Sequence, residues 1–167
     1  MADQLFTIGY EGVSIESFLE SLGYAGVDLL IDVRDVPISR KRGFSKKALS
    51  DRLAEKSIEY LHLKGLGDPK PGREAARAGR YGEFRAIFAD HLRSDRAQAD
   101  MRKCIEVASG RTATLLCFEK HHENCHRSIV ANHLAREGGF NIVHIAVVED
   151  RGKSRPVAGR ANGGASR

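Results

Sequence analysis

Short apolar runs and amphipathic stretches alternate along most of this chain. Leu5 to Gly9 reads as a first strand. Ser14 follows as a helix N-cap, with Val13 and Phe18 placed around it as a hydrophobic staple. Ile15, Phe18, Leu19 and Leu22 then recur at helical spacing, and Gly23 supplies a stop. Asp28 to Val33 is an apolar run of the kind expected for a strand buried on both faces. Ser45 caps a second helix with Phe44 and Leu49 as its staple pair, and Ile58 to Leu63 is a third strand. Lys64 to Arg80 carries four Gly, two Pro and many charges, which predicts a long surface loop. Loops of that length in compact domains are often lids or binding loops. Helices are predicted over Tyr81 to Leu92 and Ser94 to Ser109, the second with Ala97, Met101, Cys104, Ile105 and Ala108 on one stripe. Thr112 to Phe118 is a fourth strand, a helix runs from about Cys125 to Glu137 and ends at Gly138, and Ile142 to Val148 is the last strand.

Alternating strands and helices predict one three-layer α/β domain over residues 1–150, with a mainly parallel sheet of about five strands in a Rossmann-like arrangement. The first and fourth strands are expected to be neighbours. Ligands of such sheets bind at the carboxyl ends of the strands, where the chain order reverses.

Length and charge alter this picture little. The 167 residues suit a single core, and no apolar stretch reaches the length of a membrane span. The net charge of +5 suggests a polyanion partner until it is placed along the chain. Residues 151–167 hold five of the 27 basic residues and no acidic one, leaving 22 basic against 22 acidic in 1–150. The excess therefore sits in a basic, flexible tail. Met1 to Tyr10 lacks the features of a signal peptide, and three cysteines are an odd number, so a cytoplasmic location without a disulfide framework is expected.

Candidate chemistry collects at the predicted strand ends. Tyr10 follows the first strand, Asp32 and Arg34 close the second, His62 ends the third, and Cys117 and Glu119 end the fourth. The strongest local signal is Cys117-Phe118-Glu119 leading through a short polar loop to Cys125-His126-Arg127 at a helix start. With Asn124 as the cap, the first helical amides and Arg127 would form an anion site, and the helix field would favour a thiolate at Cys125. Six potential metal ligands lie between Cys117 and His126, the others being Glu119, His121, His122 and Cys125, but their spacing matches no finger or ribbon pattern, and no metal ligand is assigned. A second cluster, Arg34 with Arg40, Lys41 and Arg42, can face phosphate or a nucleic-acid backbone, or can be a solvated basic loop. No phosphate-binding loop or dinucleotide glycine fingerprint is present.

Thr7-Ile8-Gly9-Tyr10, Asp32-Val33-Arg34 with Pro37, Ser39 and Arg40, His62-Leu63 before Leu66-Gly67, and Cys117-x-Glu119 leading to Cys125-His126-Arg127 together resemble the domain-of-unknown-function 488 family of bacteria and archaea. The likeness runs from about Thr7 to Ile145. It implies a shared site at Tyr10, Asp32, Arg34, Arg40, His62, Glu119, Cys125, His126 and Arg127, and it brings no reaction with it. His121-His122 departs from the family pattern, where Asp or Asn and Pro are commoner.

The leading expectation is an enzyme acting on a small phosphorylated or nucleotide-like substrate. Arg34 and Arg127 would hold the anion, with Tyr10, Arg40, His62 and Cys117 also binding substrate. Asp32, Glu119 or His126 would supply acid–base work, and Cys125 would be a nucleophile or a polar wall. Two rivals stand beside it: a nucleic-acid or nucleotide binding module using Arg34, Arg40, Lys41, Arg42 and the tail, and a metal-dependent hydrolase built on Cys125 and its neighbours. The cofactor is left open.

Overall fold

A computed structural model describes residues 2–149; the basic tail predicted over 151–167 lies outside them. Five strands form one all-parallel sheet: β1 (Gln4–Gly9), β2 (Leu29–Asp32), β3 (Glu59–His62), β4 (Ala113–Cys117) and β5 (Asn141–Ile145), in the order β3-β2-β4-β1-β5. The three central strands read as apolar runs because both their faces are covered, and β4 is buried along its whole length. The edge strands β3 and β5 are only half-buried.

Among the described residues six α-helices cover the sheet. Helices α1 (Ile15–Ala25) and α2 (Lys46–Glu55) pack Phe18, Leu22, Leu49 and Leu53 with Ile8 and Leu30 on one face. Helices α3 (Lys70–Arg77), α4 (Tyr81–Leu92), α5 (Asp95–Ala108) and α6 (His126–Gly138) place Ala75, Phe88, Met101 and Leu134 with Leu5, Ile31 and Leu115 on the other. Leftward crossovers from β1 and β2 and rightward ones from β3 and β4 thus fall on opposite faces, as right-handed connections require. This is a single Rossmann-like α/β domain. Among the described residues no helix is long and apolar enough to cross a membrane.

Local signals mostly act as expected. Ser14 caps α1 by accepting from the Ser17 amide at 3.1 Å. The helix passes through Gly23 and stops at Gly26, which takes the left-handed conformation (φ 70°) and returns its amide to the Gly23 carbonyl. The predicted loop Lys64–Arg80 is a larger correction, because it contains α3. Pro71 sits in the first turn of that helix, where its missing N–H costs nothing, and Glu74-Ala75-Ala76-Arg77 supplies strong helix formers. Strand β5 ends at Ile145, short of the predicted Val148.

Candidate functional site

Strand β4 ends at Cys117, beside Gly9 of β1, and Leu116 lies beside Asp32 of β2. The connections after β1 and β2 leave for one face of the sheet and the connection after β4 for the other. The carboxyl end of the sheet therefore splits around β4, and a cleft of about 680 Å³ opens there. Tyr10, Arg34, Cys117, Glu119, Cys125 and His126 line it. Asp32, Arg40, His62 and Arg127 do not.

The reason is clearest for Asp32, which is fully buried with both oxygens occupied. Its Oδ1 accepts from the backbone and Nε of Arg34 at 3.1 and 2.8 Å, and its Oδ2 accepts from Arg34 Nη2 at 2.7 Å and from the Tyr60 hydroxyl. Arg34 Nη1 donates to the Tyr10 hydroxyl (3.1 Å) and the Phe44 carbonyl (2.7 Å). Burial opposes the Arg34 charge, yet Asp32 and Tyr10 hold its pKa above the ordinary value. Arg34, expected to grip an anion, is thus already neutralised and tied down. His62 is likewise engaged, its Nε2–H donating to the Arg34 carbonyl at 2.7 Å. Arg40 is exposed on the loop before α2, outside the cleft.

Arg127, the second expected anion clamp, is fully buried. Its Nε donates to Thr7 Oγ1 at 3.1 Å, and its Nη1 donates to the Glu119 carbonyl and to Cys117 Sγ, the latter at 3.4 Å. Burial lowers its pKa to about 10 despite Glu119 nearby. Among the described residues it makes no ion pair. Gly9 permits this arrangement, since a Cβ there would collide with the Glu119 carbonyl and crowd the Arg127 guanidinium.

Helix α6 is capped by Cys125, not by Asn124. A single 3-10 turn (His122–Asn124) precedes it, the Cys125 amide donates to the His122 carbonyl, and the Arg127 amide donates to Cys125 Sγ at 3.4 Å. The Cys125 and Arg127 amides are therefore spent within the protein, and the helix field falls on a sulfur at the cap. Cys117 and Cys125, for which no disulfide was expected, meet in sulfur-to-sulfur contact across a Cα–Cα distance of 7.8 Å. His126 lies against them, with Nδ1 3.7 Å from Cys125 Sγ and its Nε2–H donating to the Val33 carbonyl at 2.7 Å. Burial holds its pKa down to about 4, so the ring is neutral. Of the two loop histidines, His122 stacks on His144 and His121 faces the cleft.

Across the cleft stand residues that were not singled out in the sequence: Asp68, Arg73 and Arg77, brought in by α3 and the turn before it. Asp68 is 5% exposed, and its Oδ1 is the one buried side-chain oxygen or nitrogen among the described residues without a hydrogen-bond partner. Burial, with Glu119 and Asp35 nearby, raises its pKa to about 7 against the pull of Arg73. Burial also raises Glu119. Arg73 is half-engaged, donating to Asp35 at 2.7 Å and to the Asp68 carbonyl at 2.8 Å. Arg77 is exposed, and no hydrogen bond or ion pair engages it among the described residues. Their signal in the sequence was the composition of Lys64–Arg80, which predicted a long surface loop without indicating which of its charges line the cleft.

Asp68 makes stability fall with pH. Folded, it keeps its proton up to about 7, whereas unfolded it loses it near 3.8. The folded state then binds more protons between those values, so the contribution present below the unfolded pKa is lost as pH rises through about 7. Urea unfolding at pH 5 and pH 8 should show wild type losing stability relative to Asp68→Asn. Parallel curves for the two proteins would remove Asp68 as the titrating group.

A family model described as domain of unknown function DUF488 matches residues 14–134. No curated protein and no solved structure matches the chain.

Proposed function

The chain belongs to the domain of unknown function DUF488 family, and we propose that its cleft is the active site of an enzyme taking a small phosphorylated or nucleotide-like substrate. The observation that carries this is the pairing of free cationic capacity with a protonatable acid on one wall. Arg77 is uncommitted, Arg73 is only partly so, and Asp68 sits beside them with an unpartnered oxygen and a pKa near 7. A guanidinium fork matches phosphate oxygens, and an acid poised near neutrality can give or take a proton on an oxygen held there. The volume, about 680 Å³, falls within the range of pockets that hold a nucleotide-sized molecule.

The roles first expected of Arg34 and Arg127 pass in this proposal to Arg73 and Arg77. Tyr10, Arg34, Asp32 and His62 support the floor, while Glu119, Cys125 and His126 face the ligand from the side of β4 and α6. The basic loop of Arg40, Lys41 and Arg42 reaches the rim, where Ile38 and Ser39 line the cleft, and it suits a longer nucleic-acid backbone as the alternative ligand.

Titration calorimetry with inorganic pyrophosphate and with adenosine monophosphate tests the proposal. Arg77→Gln should weaken binding about tenfold or more, the usual consequence of losing a hydrogen bond to a charged group. Arg77 is exposed, so the fold should be unaffected. Binding that is absent in wild type, or unchanged in an Arg73→Gln, Arg77→Gln double variant, would refute an anion site on α3. Affinity for single-stranded DNA that depends steeply on salt and on Arg40 and Arg42 would favour the binding-module alternative.

A further inference from the structure

We propose that Cys117, Cys125 and His126 form a binding site for one zinc-class divalent ion at the floor of the cleft. The three donor atoms lie within 4.8 Å of one another and come from two elements, Cys117 ending β4, with Cys125 capping α6 and His126 opening it. Two thiolates and an imidazole are the donor set that zinc prefers.

Four features favour an ion over a bond between the sulfurs. The Cα atoms of Cys117 and Cys125 stand 7.8 Å apart, wider than the roughly 4.4–6.8 Å that a disulfide spans. The His126 ring nitrogen is 3.7 Å from Cys125 Sγ, close to the edge of about 3.5 Å set by Zn–S bonds near 2.3 Å and Zn–N bonds near 2.0 Å in a tetrahedron. Its other nitrogen carries the proton, donated to the Val33 carbonyl, which leaves the Nδ1 lone pair on the side of Cys125 Sγ. That is the usual outer support of a ligating histidine. Finally, each sulfur accepts from a fixed donor, Cys125 from the Arg127 amide and Cys117 from the Arg127 guanidinium, both at 3.4 Å. A buried guanidinium without an ion pair favours anionic sulfur, the ligating form.

All three residues line the cleft, so three protein ligands leave a fourth position open toward it, the pattern of a reactive rather than a purely structural ion. Glu119 borders that position, its Oε1 lying 3.6 Å from Cys117 Sγ. His122 and Cys104 take no part: the first stacks on His144, and the second is buried on α5, outside the cleft lining.

The test is metal analysis of the full chain purified under reducing conditions without chelator, followed by cobalt(II) loading. About one ion per chain is expected, and the cobalt form should show thiolate charge-transfer and tetrahedral ligand-field absorption. Cys125→Ser and His126→Gln should each lower affinity for added zinc at least tenfold, while Cys104→Ser should not. Wild-type protein that is metal-free and takes up neither zinc nor cobalt would overturn the proposal, whether peptide mapping then finds Cys117 and Cys125 disulfide-linked or free. The cobalt spectrum needs no variant, so a substitution that fails to fold does not blunt it. Pyrophosphate binding measured on chelator-treated protein separates the two proposals: a chain that takes no metal but binds pyrophosphate through Arg77 loses only the metal site.

Discussion

Asp32→Ala is expected to destabilise the protein by about 3–5 kcal/mol, the usual cost of removing one partner of a buried ion pair. The carboxylate accepts from Arg34 through both oxygens and from the half-buried Tyr60, and the Arg34 donors are buried away from water. Its loss leaves a guanidinium 6% exposed with two donors unmet. Denaturant unfolding should show a lower midpoint at unchanged slope. Replacing both charges, Asp32→Leu with Arg34→Met, should recover much of the loss, because the larger penalty is the orphaned charge and not the missing pair. If Asp32→Ala cost less than about 1 kcal/mol, the pair would not be what holds the end of β2.

Gly9→Ala is expected to be nearly as damaging, and more so to the site. The added methyl meets the backbone carbonyl of Glu119, which has no rotamer to escape into, and the Arg127 guanidinium beside it. Overpacking of this kind costs about 1–3 kcal/mol and occasionally more. Relief requires the segment after β4 to move away from β1, breaking the bonds from the Tyr10 and Glu11 amides to the Phe118 carbonyl at 3.1 and 2.9 Å. Amide hydrogen exchange at Tyr10 and Glu11 should accelerate in the variant. Unchanged protection there, with unchanged stability, would mean that the two strands do not approach as closely as described.

Much of this architecture was legible because its causes are local. The apolar runs and the Ser14 cap report secondary structure directly, and right-handed crossovers then limit the order of strands, whereas the predicted stops Gly23 and Gly138 lie within helices that are capped by Gly26 and Gly139. The Lys64–Arg80 segment misled because Gly and Pro were weighed as breakers, although Pro71 occupies a first turn that tolerates it. At the site, sequence brought the correct neighbourhood but not the partners. Arg34 and Arg127 look alike as free cations in a string of letters. Only the fold shows that one is closed on Asp32 and the other on Thr7, Cys117 and the Glu119 carbonyl. Asp68 was invisible for the complementary reason: its chemistry comes from burial beside Glu119 and Asp35, which are distant in the chain.

The strand order also sets a timetable for synthesis. Strand β1 leaves the ribosome first, yet its two sheet neighbours are β4 and β5, at residues 113–117 and 141–145. Strands β2 and β3 can pair early across a short crossover, whereas β1 waits, with both its hydrogen-bonding edges open, until nearly the whole domain has emerged. A nascent chain in that interval exposes an apolar strand of the kind that recruits chaperones or mispairs with its neighbours. Gly9 meets Cys117 only after β4 has emerged, and the pairing of β1 with β5 follows it, so the cleft is assembled late.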